Sequence, residues 1–99
     1  MNEKMLYNYF ANVKQRGIYI MKLNEAIAKR LNELLSEKSM TAYALFMKSG
    51  VSQSTISDLK NMNNTGVNLR ILYELCEGFE IGINEFFDSP LFTRENIVD

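Results

Sequence analysis

The chain lacks histidine and has one cysteine, Cys76, among its 99 residues. Zinc sites and Ser-His or Cys-His catalysis depend on these residue types, so we expect no metal, no cofactor and no enzyme of these classes. A lone cysteine cannot form an intrachain disulfide, which favours a reducing cytoplasmic setting. No apolar run is long enough to span a bilayer, and no segment has the pattern of a signal peptide. We therefore expect a cytoplasmic protein without membrane association.

Positive charge is also scarce. The formal net charge is −1, with net +2 over residues 1–21, +2 over residues 22–61 and −5 over residues 62–99. A mildly basic middle followed by an acidic end allows only modest attraction to nucleic acid. The 46% of apolar residues is enough for the core of one domain at this length.

Apolar residues recur at helical spacing through most of the chain, and no strand alternation stands out. Four polar residues stand where a side chain can cap a helix start: Asn24, Thr41, Ser52 and Asn68. A fifth, short helix over residues 83–87 should stop at Ser89-Pro90. The side chains expected to face inward include Leu23, Ile27, Leu31, Leu34, Val51, Ile56, Leu59, Leu69, Leu72, Leu75, Cys76 and Phe79. Charged residues of the first helix, Lys29, Arg30, Glu33 and Glu37, should face solvent. The sequence thus predicts an all-α domain of five helices.

Residues 41–60 carry the clearest functional signal, two short helices joined at Gly50. Gly50 follows an apolar-periodic run, where the end of a helix needs a residue that tolerates positive φ. The second helix has an apolar face and a face of small hydrogen-bonding side chains. This pattern predicts a helix-turn-helix whose second helix can enter the DNA major groove. A solvated helical hairpin without a ligand is the alternative that the helices alone leave open.

A known motif places the same residue types around this turn: Thr41, Leu45, Gly50, Val51, Ser52, Ser54, Thr55, Ile56, Ser57 and Leu59. Its usual ending, an aliphatic helix, a break and a final Phe, matches Leu72, Leu75, Cys76, Phe79, Ile81, Ile83, Glu85, Phe86 and Phe87. On these residues, the segment 24–88 resembles the Cro/repressor-type helix-turn-helix family, also called XRE-like. The resemblance implies a five-helix domain that binds double-stranded DNA as a sequence-specific transcriptional regulator, typically a repressor acting as a homodimer.

Docking of the family type would bring the helix from Ser52 to Lys60 into the major groove, N-terminus first. The residues expected to read bases are Gln53, Ser54, Ser57 and Asp58. Gln53 is the strongest candidate because its amide can pair bidentately with adenine, whereas Asp58 either accepts from cytosine N4 or faces solvent. The residues expected to contact the DNA backbone are Thr41, Ser52, Thr55, Lys60, Asn61, Asn63 and Asn64.

Several positions depart from the family pattern, among them Ala42, Phe46 and Met62. Ala42 replaces a Gln that helps to fix phosphates, so that contact is missing. Phe46 replaces a small Ala at a helix crossing, which indicates either a wider crossing or a ring turned outward to a partner. Met62 stands where Gly is common; because positive φ strains Met, we expect Asn61 or Asn63 to adopt that conformation instead.

The alternative function is a protein-interaction module, such as the antitoxin of a toxin–antitoxin pair. Tyr43, Phe46, the acidic end and the low positive charge favour this interpretation. An enzyme is not expected. Four carboxylates, Glu74, Glu77, Glu80 and Glu85, have the spacing of a solvated helix face rather than of a metal or acid–base site.

The expected organisation is an N-terminal extension over residues 1–21, a helix-turn-helix domain over 22–89 and a tail over 90–99. Met21 begins a segment with the form of a natural start, and Arg16-Gly17 can be encoded by a purine run typical of a bacterial ribosome-binding site. We therefore expect residues 1–20 to arise from an upstream start of translation. The alternative is a dimer-forming arm that uses Tyr7, Tyr9, Phe10, Ile18, Tyr19 and Ile20.

A homodimer is expected because one weakly charged reading helix should bind DNA weakly by itself. Four apolar residues near the end of the chain offer a pairing surface: Phe86, Phe87, Leu91 and Phe92. The alternative is that Phe86 and Phe87 close the core while Leu91 and Phe92 fray.

Overall fold

In the part of the chain that the structure describes, five α-helices follow one another. In the computed structural model, which describes residues 20–63 and 66–99, α1 spans Leu23–Glu37, α2 Ala42–Ser49, α3 Gln53–Lys60, α4 Leu69–Phe79 and α5 Ile83–Phe87. A 3-10 helix over Pro90–Phe92 comes after them. The prediction of an all-α domain with five helices is confirmed. The expectations for residues 1–19 and for Asn64 lie outside the described residues.

Three of the predicted helix caps form. Thr41, Ser52 and Asn68 each accept the backbone N–H three residues further on, at 3.0, 3.2 and 3.1 Å. The predicted cap at Asn24 is wrong because α1 begins one residue earlier, at Leu23, and Asn24 therefore lies within the first turn. Local side-chain chemistry thus determines where α2, α3 and α4 begin, but it does not determine the start of α1.

The start of α1 is held by the last residues of the chain. Met21 forms an isolated parallel bridge with Ile97, and its N–H donates to the carbonyl of Asn96 at 2.8 Å. The N–H of Leu23 donates to Oδ1 of Asp99 at 3.1 Å, so this distant carboxylate takes the place of a local cap. Met21 and Asn96 are both buried. The end of the chain therefore packs against the beginning of the helical domain.

Among residues 20–63 and 66–99, four residues have positive φ, and they stand at the ends of helices or just beyond them. Gly50 has φ 78°, as predicted for the residue that ends α2. Ser39, Met62 and Glu80 have φ 51°, 59° and 62°, and they follow α1, α3 and α4. A left-handed conformation costs an L-residue roughly 1–2 kcal/mol, so the hydrogen bonds formed there must offset that strain.

The turn after α3 shows how the strain is offset. The expectation that Asn61 or Asn63 would replace Met62 in the left-handed conformation is wrong. The N–H of Asn63 donates to the carbonyl of Asp58 at 2.9 Å, and the N–H of Met62 donates to that of Leu59 at 3.4 Å. These two hydrogen bonds satisfy two carbonyls that have no partner within the helix. Their geometry requires the residue in the left-handed conformation to be at position 62.

All five helices contribute to one apolar core. Its buried side chains are Ile27, Leu31, Leu34, Leu35, Leu45, Val51, Ile56, Leu59, Leu72, Leu75, Cys76, Phe79, Ile81 and Phe86. Most of the residues predicted to face inward are therefore confirmed. The prediction that Leu23 and Leu69 face inward is wrong, because 39% and 68% of their surface is exposed. Each is the first residue of its helix, where the chain enters from the surface.

Arg30 was expected to face solvent, but its side chain is only 12% exposed. Its Nε donates to the carbonyl of Phe86 at 2.7 Å and its Nη2 to that of Glu85 at 2.8 Å. Nη1 also lies 3.5 Å from the carboxylate of Glu33 on the same helix. The guanidinium therefore satisfies carbonyls at the end of α5 and ties that short helix to α1.

The close approach of α2 and α4 occurs at Gly78. A Cβ at this position would lie 2.7 Å from Cβ of Ser49 and 3.0 Å from Cδ1 of Leu45. The small residue at the crossing therefore stands on α4, and Phe46 does not widen it. The Phe46 ring is half-buried against the core, with its centroid 6.0 Å from that of Tyr43.

Cys76 is a buried core residue, as predicted, with 1% of its surface exposed. The pKa of its thiol is raised from 9.0 to about 11, chiefly because burial disfavours the charged thiolate; the neighbouring Glu77 carboxylate also raises the pKa, and Arg30 lowers it. Because the thiolate is the reactive form, this environment makes the thiol a poor nucleophile.

Gly78→Ala should lower the free energy of unfolding by about 1–2 kcal/mol. Overpacking lowers stability by about 1–3 kcal/mol, and the better helix propensity of Ala offsets up to about 1 kcal/mol of that loss. Urea unfolding followed by circular dichroism measures the difference. Gly66→Ala is the matched control, because a Cβ at Gly66 meets no described atom within 4 Å. An unchanged unfolding midpoint for Gly78→Ala would contradict the close crossing.

At pH 8 the folded protein should react with iodoacetamide about 100-fold more slowly than the urea-unfolded chain, as expected for a pKa raised by about two units. Mass spectrometry of the alkylated protein measures both rates. The unfolded thiol ionises near pH 9 and the folded thiol near 11, so stability from the protonated thiol is present below pH 9 and lost as the pH rises to about 11. Equal alkylation rates in the two states would refute the protected environment.

Candidate nucleic-acid interface

The turn between α2 and α3 fixes the direction of the second helix. The N–H of Gly50 donates to the carbonyl of Phe46 at 2.9 Å, which ends α2. The N–H of Val51 then donates to Oγ of Ser49 at 3.0 Å, and the Val51 side chain is buried. Ser52 caps the next helix. The chain therefore turns sharply over three residues, and α3 starts in a defined orientation.

One side of α3 is buried and the opposite side is polar. Ile56 and Leu59 are 0% and 5% exposed and hold the helix against the core. Gln53, Ser57 and Asn61 follow one another at four-residue intervals and are all exposed, as is Ser54 beside them. Residues four apart share a helix face, so they form one continuous stripe, here called the reading stripe: Gln53, Ser54, Ser57 and Asn61.

Gln53 stands at the first position of α3 with an uncommitted side chain. Its amide has no hydrogen-bond partner among residues 20–63 and 66–99. It can therefore donate and accept toward a ligand at the same time without breaking an internal contact.

Hydroxyl groups at the start of α3 bond to one another. Oγ of Ser52 donates to Oγ1 of Thr55 at 2.9 Å and accepts from the backbone N–H of Thr55 at 3.2 Å. Oγ of Ser54 lies 3.2 Å from Oγ of Ser52. These hydroxyls have defined orientations at the helix N-terminus, where the backbone N–H groups create a partial positive charge.

Asp58 lies to one side of the reading stripe. Its side chain is half-buried and lines a small pocket between the start of α1 and the end of α3, together with Asn24, Ile27, Leu59, Met62, Gly66 and Val67. The structure therefore brings Gln53, Ser54 and Ser57 together but sets Asp58 toward α1.

The residues expected at the DNA backbone lie at three places around α3. Thr41 is exposed at the start of α2, and Ser52 and Thr55 occupy the start of α3. Lys60 and two asparagines, Asn61 and Asn63, lie at the end of α3, with Lys60 half-buried and both asparagines exposed. Asn61 was predicted to contact the DNA backbone and not to lie on the reading stripe. Its four-residue spacing from Ser57, which itself follows Gln53 by four residues, could have predicted that position.

The electrostatics of this surface are weak. Lys48 on α2 lies 3.8 Å from the carboxylate of Glu80, and both side chains are more than half exposed, so this pair contributes little to stability. Lys60 is accompanied on α3 by Asp58. Hydrogen-bonding groups rather than charge therefore dominate the exposed side of α3.

Other kinds of site are not found in the described part of the chain. Among residues 20–63 and 66–99, no cluster of three or more His, Cys, Asp or Glu side chains is arranged to hold a metal ion. None of the helices described has the length and apolar character needed to cross a membrane.

Comparisons with known proteins agree with this geometry. The family model of the Cro/C1-type helix-turn-helix DNA-binding domain matches residues 30–90. A solved structure described as the crystal structure of the prophage Lp1 protein 11 is similar in fold, with a TM-score of 0.64 and 24% identity, over 79% of this chain and 100% of that one. No curated protein matches the chain. The family match spans more than half of the sequence and includes both helices of the turn, which confirms the resemblance seen in the sequence. The protein belongs to the Cro/C1-type helix-turn-helix DNA-binding domain family.

Proposed function

We propose that the protein is a sequence-specific DNA-binding transcriptional regulator that acts as a repressor in the cytoplasm, with α3 in the major groove. The observation that carries this proposal is the reading stripe, which lies opposite the buried residues Ile56 and Leu59. A helix about 10–12 Å across fits the major groove, which is about 12 Å wide. Uncharged donors and acceptors on such a helix distinguish base pairs, whereas cations mainly attract phosphates.

Gln53 is the principal base reader in this proposal. It stands at the N-terminal end of α3, which family docking brings deepest into the groove, and its amide is uncommitted. A Gln amide pairs bidentately with N6 and N7 of adenine. Ser54 and Ser57 read neighbouring bases through single hydrogen bonds, and Asp58 contributes from the side by accepting from a cytosine amino group.

The DNA backbone is contacted at both ends of α3. Thr41, Ser52 and Thr55 lie at the N-terminal ends of α2 and α3, where oriented backbone N–H groups favour a phosphate. Four residues near the other end of α3 reach the next phosphates: Lys60, Asn61, Asn63 and Asn64. These contacts fix the register of α3 without selecting a sequence.

The regulator acts as a homodimer in this proposal. A single weakly charged α3 binds one half-site weakly, and two linked helices multiply affinity through effective concentration. The pairing surface is the aromatic end of the chain. Phe86 is fully buried, whereas Phe87 is 36% exposed and its ring lies 4.8 Å from that of Phe92. Phe87 and Phe92 line an open depression together with Asp88, Ser89, Pro90 and Thr93. In this proposal, apolar side chains of a second copy occupy that depression. In this proposal, the dimer represses by covering its operator and excluding polymerase.

A protein partner is the second candidate, and the surface of α2 favours it. Tyr43 and Met47 lie one turn apart and are 58% and 63% exposed. An antitoxin would cover such a patch with its toxin and retain DNA binding through α3.

Gln53→Ala should weaken binding to the preferred operator by about 1–3 kcal/mol and leave binding to random DNA almost unchanged, because it removes base contacts. Lys60→Ala should weaken both DNAs alike and reduce the salt slope by about one, because it removes a phosphate contact. Selection from random DNA supplies the operator, and fluorescence anisotropy at several salt concentrations measures affinity. If both variants bind every DNA as the parent does, with unchanged thermal stability, α3 is not the reader and the protein partner becomes the better candidate.

Phe87→Glu should convert the dimer to a monomer at micromolar concentration, because it introduces a charge into the proposed apolar interface. Sedimentation velocity measures the mass, and titration against operator DNA gives the stoichiometry. Leu69→Glu, which changes an equally apolar and more exposed residue on α4, is the matched control and should leave the dimer intact. A monomeric parent that binds one molecule per duplex would refute dimerisation.

A further inference from the structure

We propose that two residues that flank the reading serines, Ser52 and Asn61, act as positioning residues that give Ser54 and Ser57 different hydrogen-bonding character. Ser54 presents only acceptors to the groove, whereas Ser57 keeps its donor. This inference rests on the proposed DNA-reading function of α3. It assigns to Asn61 a role in specificity beyond the backbone contact.

The orientation of Ser57 follows from its contact with Asn61. Nδ2 of Asn61 donates to Oγ of Ser57 at 3.3 Å, and the backbone N–H of Asn61 donates to the carbonyl of Ser57 at 3.0 Å. The two residues are thus joined by both side chain and backbone. A serine hydroxyl has one proton and two lone pairs. Since Asn61 occupies one of the two lone pairs, the proton of Ser57 and its remaining lone pair point away from Asn61, and the proton is available to a base.

The orientation of Ser54 follows from the proton of Ser52. Ser52 Oγ donates that proton to Oγ1 of Thr55 at 2.9 Å. It therefore has no proton left for Ser54, whose Oγ lies 3.2 Å away. Ser54 must donate to Ser52, and its lone pairs then face outward. Two chemically identical side chains consequently differ in what they present to the groove, because Ser57 keeps a proton that Ser54 has donated to Ser52.

The consequence is a different base preference at each serine. The donor on Ser57 matches N7 of either purine, O6 of guanine and O4 of thymine, and it has no acceptor at the amino group of cytosine. The acceptor on Ser54 matches the amino groups of adenine and cytosine. Serine is an ambiguous reader by itself. The contact with Ser52 removes that ambiguity at Ser54, and the contact with Asn61 reduces it at Ser57 by occupying one of the two lone pairs.

Selection of bound sequences from random DNA tests this proposal on the full-length protein. Ser57→Ala and Ser54→Ala first identify the base position that each serine reads. Asn61→Ala should then relax the preference at the Ser57 position by roughly threefold to tenfold, the range of one hydrogen bond. The preference at the Ser54 position should stay unchanged, which makes it the internal control. Asn61→Asp should move the Ser57 position toward adenine or cytosine, because a carboxylate accepts the serine proton and leaves an outward lone pair.

The double variant Ser57→Ala, Asn61→Ala separates positioning from direct reading. At the Ser57 position it should equal Ser57→Ala alone. If Asn61→Ala changes that position equally in both backgrounds, Asn61 reads the base itself and the proposal is overturned. It is also overturned if Asn61→Ala leaves the Ser57 position unchanged. Should the charge of Asn61→Asp abolish binding, the alanine variants decide. A parent protein that enriches no consensus would instead refute the DNA-reading function on which the proposal rests.

Discussion

Burial of one side of α3 is the constraint on which the rest of the interface depends. A helix of eight residues is unstable by itself in water, so its shape must come from tertiary packing. Ile56 and Leu59 are almost completely buried, and burial of such side chains stabilises by about 1.5–3 kcal/mol each. With these two residues and Val51 held in the core, the polar side has one direction in which to point. The exposed reading stripe is therefore a consequence of apolar packing on the opposite face.

Features governed by neighbours in the sequence could be predicted, and features governed by distant partners could not. The caps at Thr41, Ser52 and Asn68 depend on a side chain and a backbone N–H three residues away, and sequence analysis found all three. The cap of α1 comes from Asp99, 76 residues from Leu23, and no local pattern contains it. The same holds for Arg30, whose acceptors at Phe86 and Glu85 lie 56 and 55 residues away.

The candidate site shows the same division at a finer scale. Helical spacing was enough to predict that Gln53, Ser54 and Ser57 share an outward face. It gave Asp58 the same role, although α1 approaches from that side and half-buries the carboxylate. Asn61 was predicted to contact the DNA backbone because it follows the helix in the sequence. Its contact with Ser57 forms because the helical conformation continues as far as Asn61, the C-cap of α3. Periodicity predicts which face a residue occupies, but contacts across that face determine what it presents.

Because positive charge is scarce on the helix-turn-helix, the uncharged hydrogen-bonding groups of α3 matter more for the proposed binding to DNA. Binding to arbitrary DNA comes almost entirely from cations that displace counterions from phosphates. In the helix-turn-helix of this protein, Lys48 is paired with Glu80 and Lys60 shares α3 with Asp58, so this nonspecific attraction is small. In the proposed function, the affinity that remains comes from base contacts and from a second copy on the adjacent half-site. A regulator of this proposed kind gains little from an incorrect sequence, and the orientation of each uncharged donor and acceptor on α3 would then determine where it binds.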